Sequence, residues 1–221
     1  MTRPGTRLAV FDCDGTLVDG QADVCWAMER AFARAQLPAP DTALVRRMVG
    51  LSLPVAVREL APDLDEAKAR EVTEFYKSSF RARREEGLLD EPLYDGVADL
   101  LARLHADGWS LAVATGKSDR GLAACLAGHG IADLFISLQT ADRHPSKPHP
   151  AMLEAALFEA GAQPEETVMI GDTSFDMQMA AAARVPAIGV AWGYHSPAEL
   201  LATGAREVAG TVRELAAMLE A

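Results

Sequence analysis

A doubly wound, parallel α/β fold carrying an inserted all-helical segment is what this sequence predicts, and three observations lead there. Short, continuously apolar runs recur just ahead of turn residues. Amphipathic stretches of helical period lie between them. One region, from about 20 to 90, keeps the helical spacing and contains no strand-like run.

The first apolar run is LAVF at 8–11, followed by LAVAT from 111, LFISL from 134, VMIG from 168 and AIGVA from 187. None alternates polar with apolar residues, as expected of parallel strands covered on both faces. Between the runs, Val97, Leu100, Leu101 and Leu104 share a helical face, as do Leu122, Cys125 and Leu126, and then Met152, Ala156, Leu157 and Ala160. Gly108, Gly130 and Gly161 stand where these helices should end. In the inserted region Val24, Met28, Ala31, Phe32 and Ala35 recur at helical spacing, and Val72, Phe75, Ser79 and Arg83 do so less cleanly. Pro38, Pro40, Pro54 and Pro62 divide it into about four helices, and GLLDEPLYDG at 87–96 leads back to the α/β rhythm. The predicted division is a core of residues 1–19 and 91–221 with a helical insert of 20–90.

At 221 residues and 49% hydrophobic composition the chain can bury a substantial core. A formal net charge of −11 argues against nucleic acid or an anionic membrane as partner, since both require a clustered basic surface. A small anionic substrate remains compatible through a local basic pocket. Cys13, Cys25 and Cys125 are scattered, odd in number and without CxxC spacing, so they read as buried thiols in a reducing compartment. No stretch of ~18 apolar residues and no signal-like N-terminus is present, and a cytoplasmic location is expected. A monomer and a homodimer are both open.

In open α/β sheets ligands bind beyond the carboxyl ends of the strands. There the sequence sets Asp12 and Asp14 after the first run, Thr115 and Gly116 after the second, and Asp172 and Asp176 after the fourth, with Lys147 just ahead of a helix starting near Pro150. Asp12 and Asp14 follow a greasy strand so closely that burial and mutual repulsion penalise their charged forms. A hard, oxygen-liganded cation such as Mg²⁺ is the natural compensator for four carboxylates at one edge. Thr115 offers a hydroxyl, Gly116 an approachable backbone N–H at a helix start, and Lys147 a fixed positive charge. A carboxylate nucleophile, a metal, a hydroxyl and a lysine suit phosphoryl transfer through an aspartyl phosphate.

DCDGT (12–16), ATG (114–116), SKP (146–148) and GDTSFD (171–176), in that order, resemble the four motifs of the haloacid dehalogenase-like hydrolase superfamily. The helical insert resembles the cap of its subclass I. The resemblance implies that Asp12 is the nucleophile and Asp14 the general acid/base, the latter also lending a backbone carbonyl to Mg²⁺. It implies that Asp172 ligates the metal with Asp12, while Asp176 either joins them or acts from behind and orients Lys147. Thr115, Gly116 and Lys147 would hold the transferred phosphoryl group. Asp19 stands at the hinge into the insert, where capping of its first helix is an equal reading.

Competing readings of the same residues are weaker. TGKS at 115–118 imitates the end of a P-loop, but the required first glycine is Leu111. An EF-hand loop wants glycine sixth and a helix before it, whereas Gly15 is fourth and follows a strand. The five histidines share no metal-ligand spacing with cysteine. Cys13 should turn away from its flanking carboxylates into the core, and Met177 and Met179 read as core helix. Arg81, Arg83 and Arg84 read as a solvated helix face.

Within the superfamily, dehalogenases and phosphonoacetaldehyde hydrolases lack an acid at the Asp14 position, which leaves phosphatase and phosphomutase. The cap-hinge histidine of sugar phosphomutases falls here on Val24, and the glycine of their cap loop, flanked there by basic residues, is Gly50 between Val49 and Leu53. A phosphatase is therefore preferred, with Arg47, Gly50 and Ser52 of the cap loop RRMVGLSL as candidates for leaving-group recognition. VAWGYHSPAELLATGA at 190–205 resembles the closing segment of phosphoglycolate phosphatases, although Trp192 and Tyr194 could equally serve as strand-end packing. The lead substrate is 2-phosphoglycolate, followed by sugar phosphates, nucleoside monophosphates and pyrophosphate.

Overall fold

The computed structural model describes residues 7–220. Six strands, β1 (Leu8–Phe11), β2 (Ser110–Thr115), β3 (Phe135–Thr140), β4 (Thr167–Gly171), β5 (Ala187–Val190) and β6 (Glu207–Ala209), form one parallel sheet in the order β3-β2-β1-β4-β5-β6. Four helices follow β1: α1 (Gln21–Arg34), α2 (Thr42–Arg47), α3 (Leu53–Leu60) and α4 (Glu66–Glu85). The remaining six alternate with the strands: α5 (Val97–Ala106), α6 (Asp119–Gly128), α7 (Ala151–Ala160), α8 (Ser174–Ala182), α9 (Pro197–Ala202) and α10 (Val212–Glu220).

The expected α/β class is the observed one. Ala9 and Phe11 of β1 pack with Leu111, Val113 and Leu101 on one face, under α5, α6 and α10. Leu8 and Val10 pack with Ala112, Met169 and Met177 on the other, under α7 and α8. Alternate residues of an unbroken apolar run thus feed two different cores, as strands covered on both sides require. Five of the six strands coincide with the apolar runs; β6 was not foreseen, because three residues beginning with an exposed glutamate carry no strand pattern. The edge strand β3 departs from the continuous pattern: Ile136 is 54% exposed.

Helices α1–α4 enclose a third cluster of their own, built on Met28, Ala31, Phe32, Val45, Val57 and Val72. The chain enters and leaves this helical segment along one seam. Asp19 N–H donates to the Pro92 carbonyl (2.9 Å) and Tyr94 N–H to the Leu17 carbonyl (3.0 Å). Asp19 Oδ1 also accepts from Gln21 N–H at 3.2 Å, at the start of α1. Asp23, buried on α1, takes the Arg83 guanidinium of α4 and the Asp90 N–H (2.6 Å), so Arg83 is an internal strut rather than a solvated side chain.

Candidate active site

The strand order changes direction between β1 and β4, the place where open α/β sheets leave a crevice. Asp12 directly follows β1 there, its N–H bonded to the Ile170 carbonyl of β4 (2.9 Å), and Asp172 directly follows β4. Thr115 ends the neighbouring strand β2. The β3–α7 connection brings in Lys147, and α8 brings Asp176 as the third helical residue of a capping box with Thr173.

These side chains meet in the interior. Asp12, Asp172 and Asp176 are fully buried and each offers a carboxylate oxygen within 4.8 Å of the others. Lys147 Nζ lies 3.0 Å from Asp12 Oδ1 and 2.6 Å from Asp176 Oδ1. Asp176 Oδ2 accepts from the Thr173 N–H and hydroxyl (3.0 and 2.7 Å), so both its oxygens have donors. Asp172 Oδ1 accepts from the Thr16 hydroxyl (2.8 Å) and Oδ2 from the Tyr194 N–H (2.9 Å). Asp12 Oδ1 also accepts from the Cys13 N–H at 2.6 Å, whereas its buried Oδ2 has no hydrogen-bond partner among the described residues.

The electrostatics follow from this inventory. Burial first, then the repulsion of Asp176, pushes the Asp12 carboxyl up to about 7 against the pull of Lys147. Asp172 is pushed well above the carboxylate range by burial and by the charges of Asp12 and Asp176. Burial pulls Lys147 down, but its two carboxylates outweigh that and hold the ammonium above its ordinary value. The cluster is short of positive charge. Its carboxylate groups offer oxygen ligands alone, and Asp172 has only neutral donors against its charge, which fits a hard divalent cation held by Asp12 and Asp172.

Asp14 stands apart from that cluster, at the floor of a cavity of about 410 Å³ between the sheet edge and the helical segment. Lys117 Nζ lies 3.0 Å from Asp14 Oδ1 and 2.5 Å from Glu91 Oε1. Sequence reasoning passed over both Lys117 and Glu91; the available signal was a lysine immediately after the strand-end Thr115 and Gly116. Thr115 is buried, with Oγ1 accepting from the Lys117 N–H at 3.3 Å. Gly116 lines the cavity and touches the helical segment's loop.

That loop covers the crevice. Gly50 adopts φ +97, the left-handed region that favours glycine, and a Cβ there would sit 3.8 Å from Asp12 Oδ2 and 3.2 Å from the Thr173 hydroxyl. The Ser52 N–H donates to Ser146 Oγ at 2.8 Å, fastening the loop to the core beside Lys147. Arg47 is not brought into the cavity. Its guanidinium turns outward to Glu199 at 2.7 Å, half exposed, while its carbonyl accepts from His195 Nε2 (3.0 Å). His195 Nδ1 accepts from the Ser174 N–H at 3.1 Å, which leaves the ring hydrogen on Nε2, so this histidine ties the loop to the start of α8. Two arginines placed on a solvated face, Arg81 and Arg84, instead border the cavity. The Trp192 indole N–H donates to the Thr16 carbonyl (3.2 Å) and its ring lies against Tyr94, so strand-end packing describes it. Cys13 packs in the core, as expected.

Comparison with known proteins places this arrangement. The model of the haloacid dehalogenase-like hydrolase family matches residues 9–190. A protein of Dickeya dadantii named "Probable phosphatase IndB" is 35% identical over 94% of this chain and 91% of its own length. A phosphoglycolate phosphatase of Vibrio vulnificus is 30% identical over 97% of this chain and 96% of its own. A crystal structure of a predicted phosphatase from Clostridium acetobutylicum superposes with a TM-score of 0.88 at 26% identity, covering 99% of this chain and 100% of the other. With its four motifs converging at the switch point of the sheet, the chain belongs to the haloacid dehalogenase-like hydrolase family.

Proposed function

We propose that this protein is a phosphatase that hydrolyses a small phosphomonoester through phosphorylated Asp12. The observation that carries the reading is the contrast within one carboxylate: Asp12 Oδ1 is fixed by Lys147 and the Cys13 N–H, while buried Oδ2 is unpartnered and lies under the covering loop. A nucleophile needs this combination of fixed orientation and one free oxygen.

Asp12 Oδ2 attacks phosphorus, the bond from phosphorus to the leaving alcohol breaks, and Asp14 gives that alcohol its proton. Asp14 then takes a proton from water, whose oxygen bonds to phosphorus as the Asp12–phosphorus bond breaks, releasing inorganic phosphate and the free carboxylate. Lys147, Thr115 and Gly116 hold the phosphoryl oxygens. Mg²⁺, held by Asp12, Asp172 and the Asp14 carbonyl, would supply neutralisation of the charge on those oxygens. Asp176 fits the outer role, since both its oxygens are already engaged by Lys147 and Thr173. In this reading residues 20–90 are a cap domain, and residues 1–19 with 91–221 are the catalytic core.

The first substrate to assay is 2-phosphoglycolate, the substrate in the names of several relatives near 30% identity. A sugar phosphomutase is the second reading; Val24, Val49 and Leu53, all apolar where that reaction places its phosphate-binding residues, weigh against it. Among the described residues no helix is long and apolar enough to cross a membrane. The test is phosphate release from a panel of phosphomonoesters by wild type and Asp12→Asn, with Mg²⁺ and with EDTA. Wild-type turnover that EDTA stops and Asp12→Asn lacks is expected; equal turnover by the two proteins would refute the nucleophile.

A further inference from the structure

The cavity above Asp14 has a chemistry of its own. From Asp14 and Gly116 outward its walls combine apolar side chains, Val24, Met28 and Leu60 among them, with the basic side chains of Arg81 and Lys117, and α4 presents to it the side chains of Tyr76, Phe80 and Arg84 at successive helical turns. The Tyr76 and Phe80 rings stack on each other, centroids 5.7 Å apart and planes inclined by 22°, and neither is fully buried by protein. Arg84 Nη2 is buried yet has no hydrogen-bond partner among the described residues; the nearest carboxylate oxygen there, Glu91 Oε2, is 3.9 Å away. An unpaired guanidinium N–H beside an aromatic platform is costly unless a ligand oxygen completes it.

Volume and the aromatic wall rank the small alternatives lower. A volume of about 410 Å³ equals roughly fourteen waters at about 30 Å³ each. Glycolate would fill a small part of it and leave water against apolar walls. A sugar alone would present no flat face to the Tyr76 and Phe80 rings.

We propose that the alcohol released here is a planar aromatic group bearing an oxygen acceptor, packed against the Tyr76–Phe80 pair with Arg84 donating to that oxygen. This rests on the phosphatase reading and ranks its substrates: planar esters lie above 2-phosphoglycolate. The ring can be joined to the phosphate through a sugar, as in a nucleoside 5′-monophosphate, or directly, as in phosphotyrosine.

The experiment measures kcat/KM for 2-phosphoglycolate, glucose 6-phosphate, uridine and adenosine 5′-monophosphates and phosphotyrosine, in wild type, Phe80→Ala, Phe80→Leu and Arg84→Gln. Phe80→Leu keeps an apolar side chain of similar reach, so it tests the ring in a folded protein. The best planar ester should exceed 2-phosphoglycolate by at least about tenfold, and each variant should cut that ratio by about tenfold, as loss of a stacking partner or a charged donor does. The two ester types separate the nucleoside and aryl sources. Preference for 2-phosphoglycolate or glucose 6-phosphate, or a ratio unmoved in Phe80→Leu and Arg84→Gln, overturns the inference while the phosphatase reading stands. Hydrolysis of nothing in the panel by wild type removes both.

Discussion

Gly116→Ala isolates how the covering loop is seated. Gly116 has an ordinary backbone conformation, so alanine introduces no strain of its own. A Cβ there would, however, lie 2.5 Å from the Leu51 carbonyl oxygen and 2.8 Å from that of Gly50, where ordinary contact begins at 3.4 Å, so the loop must retreat by about 0.9 Å. Both obstacles are backbone atoms and cannot rotate away. A retreat of that size along the 2.8 Å Ser52–Ser146 bond carries it past the ~3.5 Å at which a hydrogen bond is lost, a cost of about 1 kcal/mol. It also lifts Gly50 from Asp12 Oδ2, and a misplacement of about 1 Å at a reacting centre costs on the order of 100-fold, or about 2.7 kcal/mol of transition-state stabilisation. The expected result is a kcat/KM about 100-fold below wild type, measured on whichever phosphomonoester wild type turns over fastest, with the melting temperature lowered by only about 2–4 °C. The amide N–H is kept in this variant, so the loss reports loop seating. Wild-type kcat/KM in a protein with alanine at 116 would refute the contact argument.

Two further outcomes follow from the charges. Lys147→Met leaves Asp12 and Asp176 buried without their shared cation, and urea denaturation of the metal-free protein should show a loss of about 3–5 kcal/mol; an unchanged midpoint would mean that Lys147 is not their compensator. For the metal-free protein, the Asp12 carboxyl rises from 3.8 to about 7 on folding and Asp172 moves the same way. Between about pH 4 and pH 7 the folded state therefore holds protons that the unfolded state has released, and stability falls as pH rises through that window. Mg²⁺ binds the deprotonated carboxylates, so its addition should raise the melting temperature more at pH 8 than at pH 5; an equal gain at both would count against Asp12 and Asp172 as the ligands.

Much of the fold was legible because β1, β2, β4 and β5 are buried on both faces, and burial of that kind forces unbroken apolar runs. The convergence of Asp12, Asp172 and Lys147 was legible because parallel strands end at a common edge. Directions of side chains on the helical segment were not. Arg83 and Arg84 are adjacent, yet one is spent on buried Asp23 and the other faces the cavity. What sets them apart is the rotation of α4, fixed by burial of Ala69, Val72, Thr73 and Ser79. Tyr76, Phe80 and Arg84 then form an i, i+4, i+8 line that the sequence contains but does not orient. Arg47 shows the reverse case, a basic residue in the right loop drawn outward by Glu199, 152 positions away.

Five carboxylates, those of Asp12, Asp14, Asp172, Asp176 and Glu91, gather at the crevice with two ammonium groups. Each lysine serves two acids: Lys147 joins Asp12 to Asp176, and Lys117 joins Asp14 to Glu91. In the proposed cycle the attacking acid and the proton-carrying acid thus have separate counterions, and a proton gained or lost by Asp14 changes the charge beside Lys117 rather than beside Lys147. Asp172 is left with neutral donors alone, the Thr16 hydroxyl and the Tyr194 N–H. Two neutral hydrogen bonds do not offset the burial of a full charge next to two others. The deficit can be met by a proton, which is the direction in which both Asp12 and Asp172 are pushed, or by a cation between them. Below about pH 7 only the second leaves Asp12 ionised to attack, so there the same deficit that destabilises the metal-free site makes the charge of the proposed nucleophile conditional on the metal.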